Sequence, residues 1–242
     1  MATTRTRIKL LTLTSASLLL MSLAAPGMAQ NTSPQPAASK AAAGKSYDAS
    51  DTMEQVREAR TVVEKMKADP NVKQLLEQSK GVFLVPTYGR GGWGIGIHGG
   101  EGVMLTHSGH KWSNPVFYNM GGVSIGLQGG AEAGSIAMLL MNDKAVSKFM
   151  DDNNFSLNAN AGLTIVNYTG KAQADVGHGD IIVWADTKGA YANASVGVSD
   201  IHRDVSDTKA FYKTDASAKD IVNGKVSSTE ADALKQALPT GK

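Results

Sequence analysis

The apolar positions change their spacing along this chain, and the changes mark its elements. Met53, Val56, Val63 and Met66 recur at helical intervals, with Arg57, Glu64 and Lys67 elsewhere around the wheel. A helix is predicted up to about Ala68, with Asp51 and Glu54 as its capping box. Asp69 then caps a second helix with Pro70 in its first position; Val72, Leu75 and Leu76 form its stripe and Gly81 closes it. From Val82 the period falls to two. Val82–Val85 is apolar throughout, and Gly89–Val103 (GRGGWGIGIHGGEGV) sets Trp93, Ile95 and Ile97 on one face and Gly94, Gly96 and His98 on the other. Val123–Gly130 (VSIGLQGG) repeats the device. Glycine weakens an isolated strand, so two strands with bare faces imply that a neighbouring layer comes close to the sheet.

Further strands are predicted at Val103–Leu105, Val116–Met120, Ile136–Met141, Leu157–Ile165, Ile181–Trp184 and Ala190–Val198. A short helix is predicted to start at Asn142 or Asp143 and to carry Val146, Phe149 and Met150. A last helix, capped by Ser227 and Glu230, carries Ala231, Leu234 and Leu238 before Pro239. Antiparallel strands framed by N- and C-terminal helices give an α+β domain, a strongly bent sheet or partly closed β-barrel. The predicted organisation is a signal peptide over residues 1–29, a disordered linker over 30–50 and one domain over 51–242.

The N-terminal segment changes the charge picture. Arg5, Arg7 and Lys9 precede an apolar run from Leu10 to about Ala25, and Gly27-Met28-Ala29 supplies the small residues of a cleavage site. The run is short and diluted for a membrane span. The expected location is the periplasm or the medium, after cleavage near Ala29. The whole chain carries +2, so loss of the three cations leaves −1. A near-neutral chain argues against nucleic acid as a partner. There are no cysteines, hence no disulfides and no acylated cysteine anchor.

Several apparent chemical motifs fail on context. Gly94-Ile95-Gly96-Ile97-His98-Gly99 spells G-x-G-x-x-G, but a strand pattern follows where a dinucleotide site needs a helix. Gly44-Lys45-Ser46 lacks the upstream glycine and strand of a phosphate loop. His107 and His110 are three apart across a turn with no evident third metal ligand. His178 lies between Asp175 and Asp180, and His202 between Asp200 and Asp204, without a nucleophile motif. The reading is a non-enzyme with no cofactor and no metal.

One ordered set of motifs goes further. Ser79-Lys80-Gly81-Val82 leads to Pro86, then Gly94-x-Gly96 and Gly100-x-Gly102-Val103. Trp112-Ser113-x-Pro115-x-Phe117, Gly126-x-Gln128-x-Gly130 and Leu140-Met141-Asn142 follow, with Lys188-Gly189-Ala190 and Phe211-Tyr212 in the later part. Together these resemble the SYLF domain, also called the Ysc-type actin-binding domain, from about Met53 to Val226. The resemblance implies a lipid-binding domain; eukaryotic members bind phosphoinositides and some bind actin, and bacterial members are exported envelope proteins. Two departures stand out. The family usually has aromatic-aromatic-Gly where this chain has Phe211-Tyr212-Lys213, and the basic amphipathic segment of animal members has no clear counterpart.

The expected function is therefore binding of phospholipid headgroups at a membrane surface. Arg90, His110 and Lys111 are the candidates for meeting phosphate, and Trp93 and Trp112 for the headgroup boundary. The competing expectation for Trp112 is a core plug beside Pro115. The alternative function is a structural or protein-interaction module of the envelope, with a protein partner or self-association in place of lipid.

Overall fold

The computed structural model describes residues 48–93, 95–125, 130–151, 153–157, 162–168, 179–189 and 200–240, all in the unit Lys45–Lys242. The expected signal peptide, residues 30–47 of the expected linker, His178 and the strand expected at Ala190–Val198 lie outside these residues.

The chain enters through two helices, α1 (Ala49–Lys67) and α2 (Pro70–Gln78). The cap of α1 is Asp48, three residues before the expected Asp51; Asp51 instead closes the capping box from inside the first turn. Pro70 opens α2 behind Asp69, as its missing N–H allows. The strands are β1 (Gly81–Trp93), β2 (Ile95–Ser108), β3 (Lys111–Trp112), β4 (Val116–Ile125), β5 (Gly130–Leu140), β6 (Asn154–Ser156), β7 (Ile165–Asn167), β8 (Ile181–Gly189) and β9 (Asp200–Arg203). Helix α3 (Asp143–Asp151) follows β5. Helices α4 (Val205–Tyr212), α5 (Ala218–Val222) and α6 (Asp232–Ala237) complete the chain, α6 after a 3-10 turn at Thr229–Ala231 capped by Ser228.

The sheet is open and curled, with the order β6-β9-β4-β2-β1-β5-β8-β7 and β3 as a small extension of β2. Every pairing is antiparallel except β7 with β8. The expected α+β architecture with a bent antiparallel sheet and flanking helices is what the structure shows.

Near its base the sheet is apolar on both faces. Val82, Leu84, Val103, Leu105, Phe117, Ala137 and Leu139 pack under α1, α2, α4 and α6. Phe83, Val85, Met104, Tyr118, Met138 and Leu140 pack on the other side with Phe149 of α3 and Ile221 of α5. Each such side chain, fully removed from water, contributes about 1.5–3 kcal/mol. Phe83 meets Tyr118 ring to edge and Phe149 at a tilt, and the Tyr118 hydroxyl donates to the Phe149 carbonyl.

β1 does not end at Pro86. A bulge between Leu84 and Thr87 absorbs the proline, which has no N–H for the ladder, and the strand continues to Trp93. The extra residue reverses the alternation: Phe83 and Val85 share their face with Tyr88, not with Thr87. The bulge also explains two glycines. A Cβ on Gly100 would lie 2.6 Å from the Thr87 carbonyl oxygen, and one on Gly102 would lie 2.7 Å from the Phe83 ring, with the Leu84 carbonyl oxygen closer still. The expectation that these bare positions admit a second layer is corrected: what they admit is the kinked neighbouring strand of the same sheet.

Helix α4 ends at Lys213, which adopts the left-handed conformation (φ 59°). Here the family pattern has glycine. A residue with a Cβ pays about 1 kcal/mol for this geometry.

Candidate functional site

The five candidate residues fall at opposite ends of the sheet. Arg90 and Trp93 lie in the distal part of β1, where the β1–β2 hairpin ends with Trp93 opposite Ile95. His110 and Lys111 lie at the base, His110 in the turn between β2 and β3 and Lys111 at the start of β3. Arg90 pairs with His98, ten positions before Ser108. At about 3.3 Å per residue, roughly 30 Å of strand separates the two groups. They do not form one patch.

At the base, Trp112 is in the core: it is 7% exposed and its indole Nε1–H donates to the Pro239 carbonyl at 2.8 Å. His107 stacks on it with centroids 4.4 Å apart and planes 5° apart. The His107 Nδ1 lies 3.1 Å from the Ser79 carbonyl oxygen, which makes Nδ1 the protonated nitrogen. The core-plug reading thus describes Trp112. His110 and Lys111 are exposed beside it. Among the described residues no group of three His, Cys, Asp or Glu is placed to hold a metal ion. His202 is exposed on β9, and Asp204 is occupied in capping α4 and in accepting from the Asn119 side chain at 2.7 Å.

The distal end is built differently on its two faces. On the Tyr88 face the register aligns His98, Arg90 and Glu132 on adjacent strands. Tyr88, His98 and Glu132 are buried and Arg90 is half-buried between them. Burial raises the Tyr88 phenol above its ordinary range, Arg90 opposes the rise and Glu132 adds to it. The opposite face carries Thr87 and Glu101 under α1, with the Thr87 hydroxyl 3.5 Å from Glu58. One step further out it holds Gly89 opposite Gly99 and Ala133, then Gly91 opposite Ile97 and Ala131. A Cβ on Gly89 would meet nothing within 4 Å, and Ala131 and Ala133 are exposed. Ile97 is 63% exposed. Beyond the reach of α1, this face is, among the described residues, open backbone and small apolar groups.

The alternation of Ile97 with glycine is that of a half-buried strand; its exposure follows from where the helical layer ends among the described residues.

Residues 121–240 match the family model Ysc84, described as Las17-binding protein actin regulator. The chain carries a domain of the SYLF (Ysc84) family. No curated protein matches the chain. The matched part of the SYLF domain begins at Gly121 in β4 and runs to Thr240, after α6. The SYLF family is one of binding domains, of the actin- and lipid-binding type.

Proposed function

We propose that this SYLF domain is a non-enzymatic lipid-binding module of the bacterial cell envelope, which meets a phospholipid surface with the distal end of its β1–β2 hairpin. The observation that carries the reading is Ile97, 63% exposed on a sheet face that α1 leaves bare. An exposed β-branched side chain amid glycine and alanine is a poor surface for water and a good one for acyl chains. In this geometry Trp93 and Ile95 mark the leading end. Arg90, three residues or roughly 10 Å back along the strand, lies at the depth where phosphates follow acyl chains. Its guanidinium reaches phosphate by snorkelling along its own stem. Among the described residues no helix is long and apolar enough to cross a membrane. Export rests on Arg5 to Ala29.

Vesicle flotation tests this. Wild type, Ile97→Ser, Arg90→Ala and Lys111→Ala are floated with vesicles containing phosphatidylglycerol, and with vesicles of phosphatidylcholine alone. The expected result is that Ile97→Ser and Arg90→Ala lose at least most of the bound fraction. Loss that instead follows Lys111→Ala would move the site to the base of the sheet. Equal flotation of all four proteins would remove these residues from the reading. The mass of the protein recovered from cells is expected to begin at Gln30.

The family description names binding to a protein, which supports the second reading, an interaction module for another envelope protein or a second copy. A stable oligomer indifferent to vesicles would favour it.

A further inference from the structure

The Tyr88 face of the distal sheet holds a row of charge in a frame of glycine. Arg90 of β1 stands between His98 of β2 and Glu132 of β5 in the register, so the three side chains lie side by side, about 5 Å from strand to strand. Gly122 continues the row beyond His98, and Gly189 beyond Glu132. One step inward, Gly100 and Gly134 flank Tyr88; one step outward stand Gly92 and Gly130. Tyr88 is thus the one large side chain among these neighbours, and its ring lies 6.3 Å from that of His98.

Within the row Glu132 is incomplete. It is 4% exposed, and its buried Oε1 accepts no hydrogen bond. A buried carboxylate oxygen without a donor is costly. Its neighbour Arg90 is half-buried, so a ligand reaches Glu132 by way of the guanidinium. The row therefore offers a permanent cation, and one strand further in an acceptor that lacks a donor.

Resting on the membrane contact proposed above, we propose that this row reads a zwitterionic aminophospholipid headgroup, that of phosphatidylethanolamine, with the phosphate on Arg90 and the primary ammonium on Oε1 of Glu132. Phosphate and ammonium are joined there by a two-carbon bridge, which suits one strand-to-strand step of about 5 Å. An anionic headgroup without an ammonium leaves Oε1 unpaired and sets its own charge beside a carboxylate. The trimethylammonium of phosphatidylcholine has the charge but no N–H to donate, so the same two residues discriminate against it.

Vesicle flotation tests this with phosphatidylcholine alone, with added phosphatidylethanolamine and with added phosphatidylglycerol. Wild type is expected to bind the ethanolamine vesicles about tenfold more tightly than phosphatidylcholine alone, and Glu132→Gln to lose that gain. A gain that survives in Glu132→Gln would overturn the headgroup assignment and leave the membrane contact standing. So would its absence from wild type that still floats with phosphatidylglycerol. Failure to float with any vesicle would overturn both. Competition on the wild type needs no variant: soluble O-phosphoethanolamine is expected to lower flotation with the ethanolamine vesicles, and phosphocholine to leave it unchanged. Equal competition by the two would overturn the role of the ammonium. Calorimetric binding of O-phosphoethanolamine without any preference among the vesicles would overturn a lipid as its source.

Discussion

The same four central strands behave as two materials. At the base, β1, β2, β4 and β5 carry Phe83, Leu84, Met104, Phe117, Tyr118, Met138 and Leu139, buried to 1% exposure or less between two layers of helix. Past the bulge at Pro86, β1, β2 and β5 continue in the same ladder and carry Gly89, Gly91, Gly99, Ala131 and Ala133 on a face that no described helix covers. Backbone pairing is common to both halves, so it cannot be what distinguishes them. The base holds the fold together by burial; the distal half is held out by the base and is free to be a surface.

The sharpest test of that division is a pair of truncations. Phe83→Ala at the base is expected to lose about 3–5 kcal/mol in denaturant unfolding. Ile97→Ser at the distal end should change stability by under about 0.5 kcal/mol. Comparable losses would break the comparison.

Next in size is a pH effect where the two halves meet. Burial, then Asp204, Glu101 and Asp51, raise the Asp207 carboxyl from 3.8 to about 7. Between those values the folded state keeps a proton that the unfolded state gives up. Stability is therefore fully present below about pH 4, declines as pH rises, and levels off above 7, by about 2–4 kcal/mol in all. Unfolding midpoints of wild type should fall across this window, and Asp207→Asn should flatten the decline.

Two smaller effects follow. Gly102→Ala forces a Cβ against Leu84 and Phe83 and should cost about 1–3 kcal/mol, whereas Gly89→Ala, which meets nothing, should cost little or nothing. Last, Lys213→Gly relieves the left-handed cap of α4 and should raise stability by about 0.5–1 kcal/mol in thermal unfolding.

What the sequence shows and what it hides divide along physical lines. α1 and α2 announce themselves because their apolar period matches the face they bury, and the base of β5 because Ile136–Leu140 is an unbroken apolar run. α4 does not: its buried residues are Asp207, Thr208 and Phe211, so no apolar stripe marks it. Pro86 reads as a strand end, because the bulge that tolerates it depends on the partner strands. The parallel pairing of β7 with β8 has no local signal either. Of the candidate residues, Arg90 and Lys111 are expected in loops, but they lie in β1 and β3; their separation depends on the length of β2, and the place of Trp112 on the position of Pro239. That Asp51, Thr87 and Glu101 line one cavity has no local signal, because only the tertiary fold brings these three stretches together.

The outermost strands of the described sheet are short: β6 on one side and β7 on the other, three residues each, against thirteen and fourteen in the central hairpin. A stranger arriving sideways at β6 or β7 would find at most three residues of ladder to grip, too little for a lasting hold on those two strands.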